Sequence, residues 1–106
     1  RLHCPPMFTI RRTDVFAAWL DGLRDRSAKA RLIRRLERAA QGNLGDVAPV
    51  GAGVLEMREH FGPGWRMYFV RHGNVLIVML GGGDKSTQEA DIAAAKALAA
   101  TLEPPP

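Results

Sequence analysis

The chain has 106 residues, with 15 Lys and Arg against 11 Asp and Glu, a net charge of +4 and a pI near 10.0. That length suits one small domain and excludes a large cofactor-binding fold. The lone cysteine, Cys4, excludes an internal disulfide and a cysteine-based metal site. The longest apolar run, Val75 to Leu80, is far short of the roughly 18 residues that span a membrane. The first residues lack the basic start and apolar core of a signal peptide, so no membrane partner and a cytoplasmic location are expected. The basic excess favours a polyanionic partner.

Residues 1–6 contain Pro5-Pro6 and precede Met7, and they read as a disordered tag remnant or upstream extension. Residues 7–103 read as the domain, and the prolines at 104–106 as a frayed tail. Met7 to Arg12 alternates Phe8 and Ile10 against Thr9 and Arg11, which predicts a strand with one buried face. Thr13 or Asp14 caps a helix with Val15, Phe16, Trp19, Leu20 and Leu23 at helical spacing. Ser27 caps a second helix carrying Ala28, Leu32, Ile33, Leu36 and Ala40, ending near Gly42-Asn43. The short connection between them predicts a helical hairpin.

Gly45 to Gly53 reads as a loop. Three strands are predicted next, at Val54 to Phe61, Trp65 to Arg71 and Asn74 to Leu80, joined as an antiparallel meander by Gly62-Pro63-Gly64 and His72-Gly73. The third is apolar at almost every position, as a strand covered on both faces should be. Ser86-Thr-Gln-Glu89 has the form of a capping box and opens a last helix with Ile92, Ala95, Leu98, Ala99 and Leu102 on one side. The expected architecture is a small single-domain α+β fold ordered β-α-α-β-β-β-α, an antiparallel sheet with an N-terminal helical hairpin and a C-terminal helix.

Strand periodicity divides the middle strands into two faces. Leu55, Met57, Met67 and Phe69 form an apolar set, and Glu56, Arg58, His60, Arg66 and Tyr68 a polar one. The two polar halves coincide only if opposed positions sum to an even number. A three-residue Gly62-Pro63-Gly64 loop satisfies this, setting His60 opposite Arg66, Arg58 opposite Tyr68 and Glu56 opposite Val70. Gly81-Gly-Gly83 then allows a sharp turn that puts Asp84 and Lys85 at the rim of this face. The triplet lacks the spacing of a phosphate loop, so no nucleotide cofactor is expected. His3, His60 and His72 lack metal-ligand spacing, so no metal is expected either. On the second helix Arg26, Lys29, Arg31, Arg34, Arg35 and Arg38 outnumber Glu37, a density that suits phosphate contact.

Gly51-x-Gly-Val-Leu-Glu-Met-Arg58, Gly62-Pro-Gly-Trp-Arg-Met-Tyr-Phe69 and Gly82-Gly-Asp-Lys-Ser86 before an Ala-rich helix together resemble the RelE/ParE superfamily of toxins, in its phage-derived killer-protein and HigB-like branch. The likeness runs from Met7 to Glu103 and implies a RelE-like fold. It implies the toxin of a type II toxin-antitoxin module, a ribosome-dependent, metal-independent endoribonuclease (mRNA interferase) that cuts messenger RNA and inhibits translation. In such enzymes the ribose 2′-hydroxyl attacks the adjacent phosphate to give a cyclic phosphate. The likeness then implies Arg58 and Arg66 as the phosphate clamp, and Tyr68, its ionisation favoured by flanking arginines, or His60 as the base. Lys85 would stabilise the transition state or protonate the leaving group. Lys29, Arg31, Arg34, Arg35 and Arg38 would contact ribosomal RNA. Partners implied are a cognate antitoxin, commonly of helix-turn-helix type, the ribosome with its messenger RNA, and operator DNA only through the antitoxin. Two alternatives compete: a ParE-like gyrase inhibitor without nuclease activity, and an inactive subunit serving only in autoregulation.

Overall fold

The computed structural model describes residues 7–102. The tag or extension expected at 1–6, and the tail expected at 104–106, lie outside the described residues. Within them the chain runs β1 (Thr9–Arg12), α1 (Asp14–Asp21), α2 (Arg26–Ala40), β2 (Val47–Gly51), β3 (Val54–Arg58), β4 (Arg66–His72), β5 (Leu76–Gly83), a 3-10 turn (Lys85–Thr87) and α3 (Gln88–Thr101). This is the expected α+β fold with one more strand than the sequence suggested. Among the described residues, no helix is long and apolar enough to cross a membrane.

The five strands form one sheet in the order β1-β5-β4-β3-β2. The sheet is mixed rather than antiparallel, because β1 pairs parallel to β5, with Thr9 opposite Leu76 and Arg12 opposite Met79. That pairing makes β5 interior, which is why it is apolar on both faces. One face, with Met57, Met67, Phe69, Ile77 and Met79, packs under Phe16 and Leu20 of α1 and Leu32, Leu36 and Ala39 of α2. The other face gathers Val54, Tyr68, Val78 and Leu80 beneath Ala95, Ile92 and Leu98 of α3.

The extra strand, β2, lies where a loop was expected. Pro49 and the flanking glycines argue against a strand, yet Pro is tolerated because β2 is an edge and needs no outward ladder donor there. Helix α2 starts earlier than expected: Asp25, not Ser27, is the cap and accepts from Ala28 N at 3.0 Å. Thr13 caps α1 as expected, accepting from Phe16 N at 3.2 Å. The capping box at Ser86 is not formed. Asp84 Oδ1 accepts from Ser86 N at 2.8 Å to open the 3-10 turn, and α3 starts behind Thr87, whose hydroxyl donates to Asp91.

The glycine triplet also differs from expectation. Gly81 to Gly83 continue β5 with no left-handed backbone. Two of them are required by packing: a methyl group on Gly82 would overlap the Trp19 indole of α1, and one on Gly83 would overlap the Asp91 carboxylate of α3.

Candidate functional site

Residues of β3 and β4 meet as Glu56 with Tyr68, Met57 with Met67 and Arg58 with Arg66. The polar residues therefore do share a face, but the register is two residues from the one expected, and Arg58 opposes Arg66 rather than Tyr68. The cause lies in the turn. Gly62 and Gly64 take left-handed backbone (φ 56° and 80°), Gly64 N donates to Phe61 O, and Glu59 N to Trp65 O at 2.9 Å, so the connection widens and carries His60 out of the ladder.

Two opposed guanidinium groups repel unless anions separate them. Here each has its own carboxylate. Arg58 Nη2 donates to Asp46 Oδ1 at 2.9 Å, just before β2, and Arg66 Nε stands 3.8 Å from Glu56 Oε1. Glu56 is buried and also accepts from Gln88 Nε2 of α3 at 2.7 Å. Arg66 is only 7% exposed, and its Nη1 donates to the carbonyls of Glu59 and Trp65.

Lys85 joins this group through the turn. Its backbone N reaches Pro63 O at 3.4 Å, and a Cβ on Gly64 would lie 3.1 Å from Lys85 Cδ and 3.6 Å from Arg66 Nη1. The exposed Lys85 thus passes over the same glycine as the Arg66 guanidinium. An open groove of about 450 Å³ runs beside it, lined by Lys85, Ser86, Gln88, Glu89 and Ile92.

His60 is exposed, with its Nε2 2.6 Å from Asp46 Oδ2, the carboxylate that also holds Arg58. Asp46 thus bridges Arg58 and His60, and those two hydrogen bonds, Arg58 first, hold its carboxyl down to about 2. Asp46 was missed in the sequence because nothing local marks it: it enters the site only through the pairing of β2 with β3.

Tyr68 corrects an expectation. Its side chain is fully buried under α3 with no hydrogen-bond partner for the hydroxyl. Burial, and then the neighbouring Glu56 carboxylate, push the phenol above its ordinary value; Arg66 acts the other way but more weakly. A fully buried phenol shifted in this direction does not fit the expectation of a base whose ionisation flanking arginines favour.

The cations of α2 divide. Arg35, expected to touch RNA, is 7% exposed and turned inward: Nη1 donates to Arg58 O and pairs with Glu59, while Nη2 donates to Leu44 O and Asp46 O, each at 2.9 Å. It holds the β2 entrance against the β3 exit. Lys29 lies on the opposite flank from Arg31, about 200° around the helix, and its Nζ donates to Asp21 O at 3.2 Å. Arg31, Arg34 and Arg38 remain exposed on one flank, with Arg31 stacked 3.7 Å over the Phe61 ring beside His60. Among the described residues, no three His, Cys, Asp or Glu side chains gather as a metal-binding group.

No solved structure matches the chain. It is 43% identical over 93 residues to an uncharacterized protein of Haemophilus influenzae (strain Rd), an alignment covering 88% of this chain and 94% of that protein. The model of the phage-derived Gp49-like proteins (DUF891) matches residues 18–102, a span that contains the whole β3–β4 site, and the chain belongs to that family.

Proposed function

We propose that the protein is the toxin of a bacterial type II toxin-antitoxin module, and that it cleaves messenger RNA on the ribosome by metal-independent 2′-hydroxyl attack. The observation that carries this reading is the pair Arg58 and Arg66, directly opposed across β3 and β4 with Lys85 leaning over the adjoining turn. Each already has a carboxylate, Asp46 or Glu56, and a phosphate between them would add a shared anion that matches guanidinium geometry.

In the reaction the ribose 2′-oxygen bonds to phosphorus as the bond to the 5′-oxygen breaks, leaving a cyclic phosphate and a 5′-hydroxyl. Arg58 from the solvent side and Arg66 from below stabilise the charge gathering on the phosphoryl oxygens. His60 takes the hydroxyl proton, the role for which buried Tyr68 is unsuited. Lys85 supplies the proton to the leaving oxygen. The exposed arginines of α2, Arg31, Arg34 and Arg38, bind ribosomal RNA, and a small antitoxin neutralises the cationic face.

Arg58 and Lys85 are the residues to test, because neither is deeply buried and the fold should survive their loss. Arg58→Ala and Lys85→Ala should each reduce transcript cleavage on translating ribosomes by about 10²-fold or more. Wild-type cleavage by both variants would refute the assignment.

A further inference from the structure

Asp46 is held in place from three directions. Its backbone carbonyl accepts from Arg58 N at 3.0 Å and from Arg35 Nη2 at 2.9 Å. Gly45 before it takes left-handed backbone (φ 70°), where a Cβ would stand 2.9 Å from Arg35 Nη2, so glycine lets the chain close around that guanidinium. The side chain is then fixed by its two partners, Arg58 on Oδ1 and His60 on Oδ2.

The charges facing it are Arg58 on β3, Arg35 on α2, itself paired with Glu59, and His60 beyond β3. An ionised carboxylate only accepts hydrogen bonds. The His60 nitrogen 2.6 Å away must therefore carry a hydrogen, and in the neutral ring this leaves Nδ1 with the lone pair, on a side chain that is 71% exposed.

We infer that Asp46 is a positioning residue: it fixes His60 as the Nε2–H tautomer with Nδ1 presented to solvent as the atom that takes the 2′-hydroxyl proton. The catalytic half of this inference rests on the ribonuclease reading; the tautomer does not. When Nδ1 accepts the proton, the ring becomes cationic with both nitrogens protonated, and Asp46 stabilises that charge across the existing hydrogen bond. The same carboxylate holds Arg58 beside it, so one side chain aligns the base and half of the phosphate clamp.

The decisive variant is Asp46→Asn, which keeps size and shape. Arg58 can only donate, so the amide oxygen must stay on Arg58 and the amide NH₂ must turn to His60. Nε2 then becomes the acceptor, and the hydrogen moves to Nδ1. The proton-accepting atom is lost although the side chains remain where they were. Removing a general base of this kind costs about 10² to 10⁴ in rate.

The experiment pairs heteronuclear NMR of isotope-labelled histidine, assigned with His60→Gln, with transcript cleavage on translating ribosomes. Wild-type His60 should be protonated at Nε2 and Asp46→Asn at Nδ1, with the variant still folded though somewhat less stable and cleavage reduced by at least about 10². The wild-type spectrum needs no variant: an Nδ1–H tautomer there overturns the inference. So does an Asp46→Asn variant that cleaves within about threefold of wild type. Wild-type protein with the Nε2–H tautomer that cleaves no RNA overturns the proposed function and the catalytic half with it, while the positional half stands.

Discussion

Arg35→Met removes one guanidinium and little volume, and the structure states what is left behind. The Leu44, Asp46 and Arg58 carbonyls and the Glu59 carboxylate lose their shared donor. A buried polar group without a partner costs about 1 to 3 kcal/mol. The carbonyls sit near the surface and water relieves part of that cost. The Glu59 side chain is 15% exposed, however, and losing one partner of a buried ion pair costs about 3 to 5 kcal/mol. A loss of about 3 kcal/mol should lower the melting temperature by more than about 10 °C in a domain of this size. Arg34→Ala and Arg38→Ala, on the exposed flank, should stay within about 0.5 kcal/mol of wild type. The assay is thermal unfolding of all three, with ribosome binding measured in parallel. Arg35→Met that melts with wild type and weakens ribosome binding as the exposed variants do would refute this account and restore Arg35 to the RNA-facing group.

Tyr68 is the sole tyrosine, so near-ultraviolet tyrosinate absorbance reports it alone. Because the folded phenol is pushed above its ordinary value, the folded protein should show no tyrosinate at pH about 10. The stability tied to the neutral phenol is intact below that pH and lost above it. A folded-state midpoint at or below the free value would mean that the arginines do activate it. Gly82→Ala should cost about 1 to 3 kcal/mol through overlap with Trp19. Gly81→Ala, whose Cβ would have its nearest neighbour at 4.0 Å, should be near neutral, and equal melting of the two variants would contradict the packing role.

The fold was legible wherever burial and periodicity act together. Phe16, Leu20, Leu32 and Leu36 lie in the core as their spacing required, and the even-sum rule placed Arg58 and Arg66 on one face. The same rule could not fix the register, because it is satisfied by every shift of two residues. Nor could it tell what covers a face: Tyr68 shares the polar face with Arg66, yet α3 lies over it. The inward position of Arg35 is legible in the helix periodicity itself. Ala28, Leu32, Arg35 and Ala39 follow one helical stripe, so the arginine falls inside the apolar arc rather than on the solvated side. Strand β2 and Asp46 were hidden for another reason, since an edge strand with a proline is made by its partner and not by its own propensity.

Mapping RNA 5′ ends after brief induction separates RNA cleavage from both competing activities. New internal 5′-hydroxyl ends should appear in translated messages and be absent on induction of Arg58→Ala or Lys85→Ala. Unchanged messenger ends with accumulating gyrase-DNA breaks would contradict RNA cleavage in favour of a gyrase poison, and the absence of both would leave a subunit serving only in autoregulation.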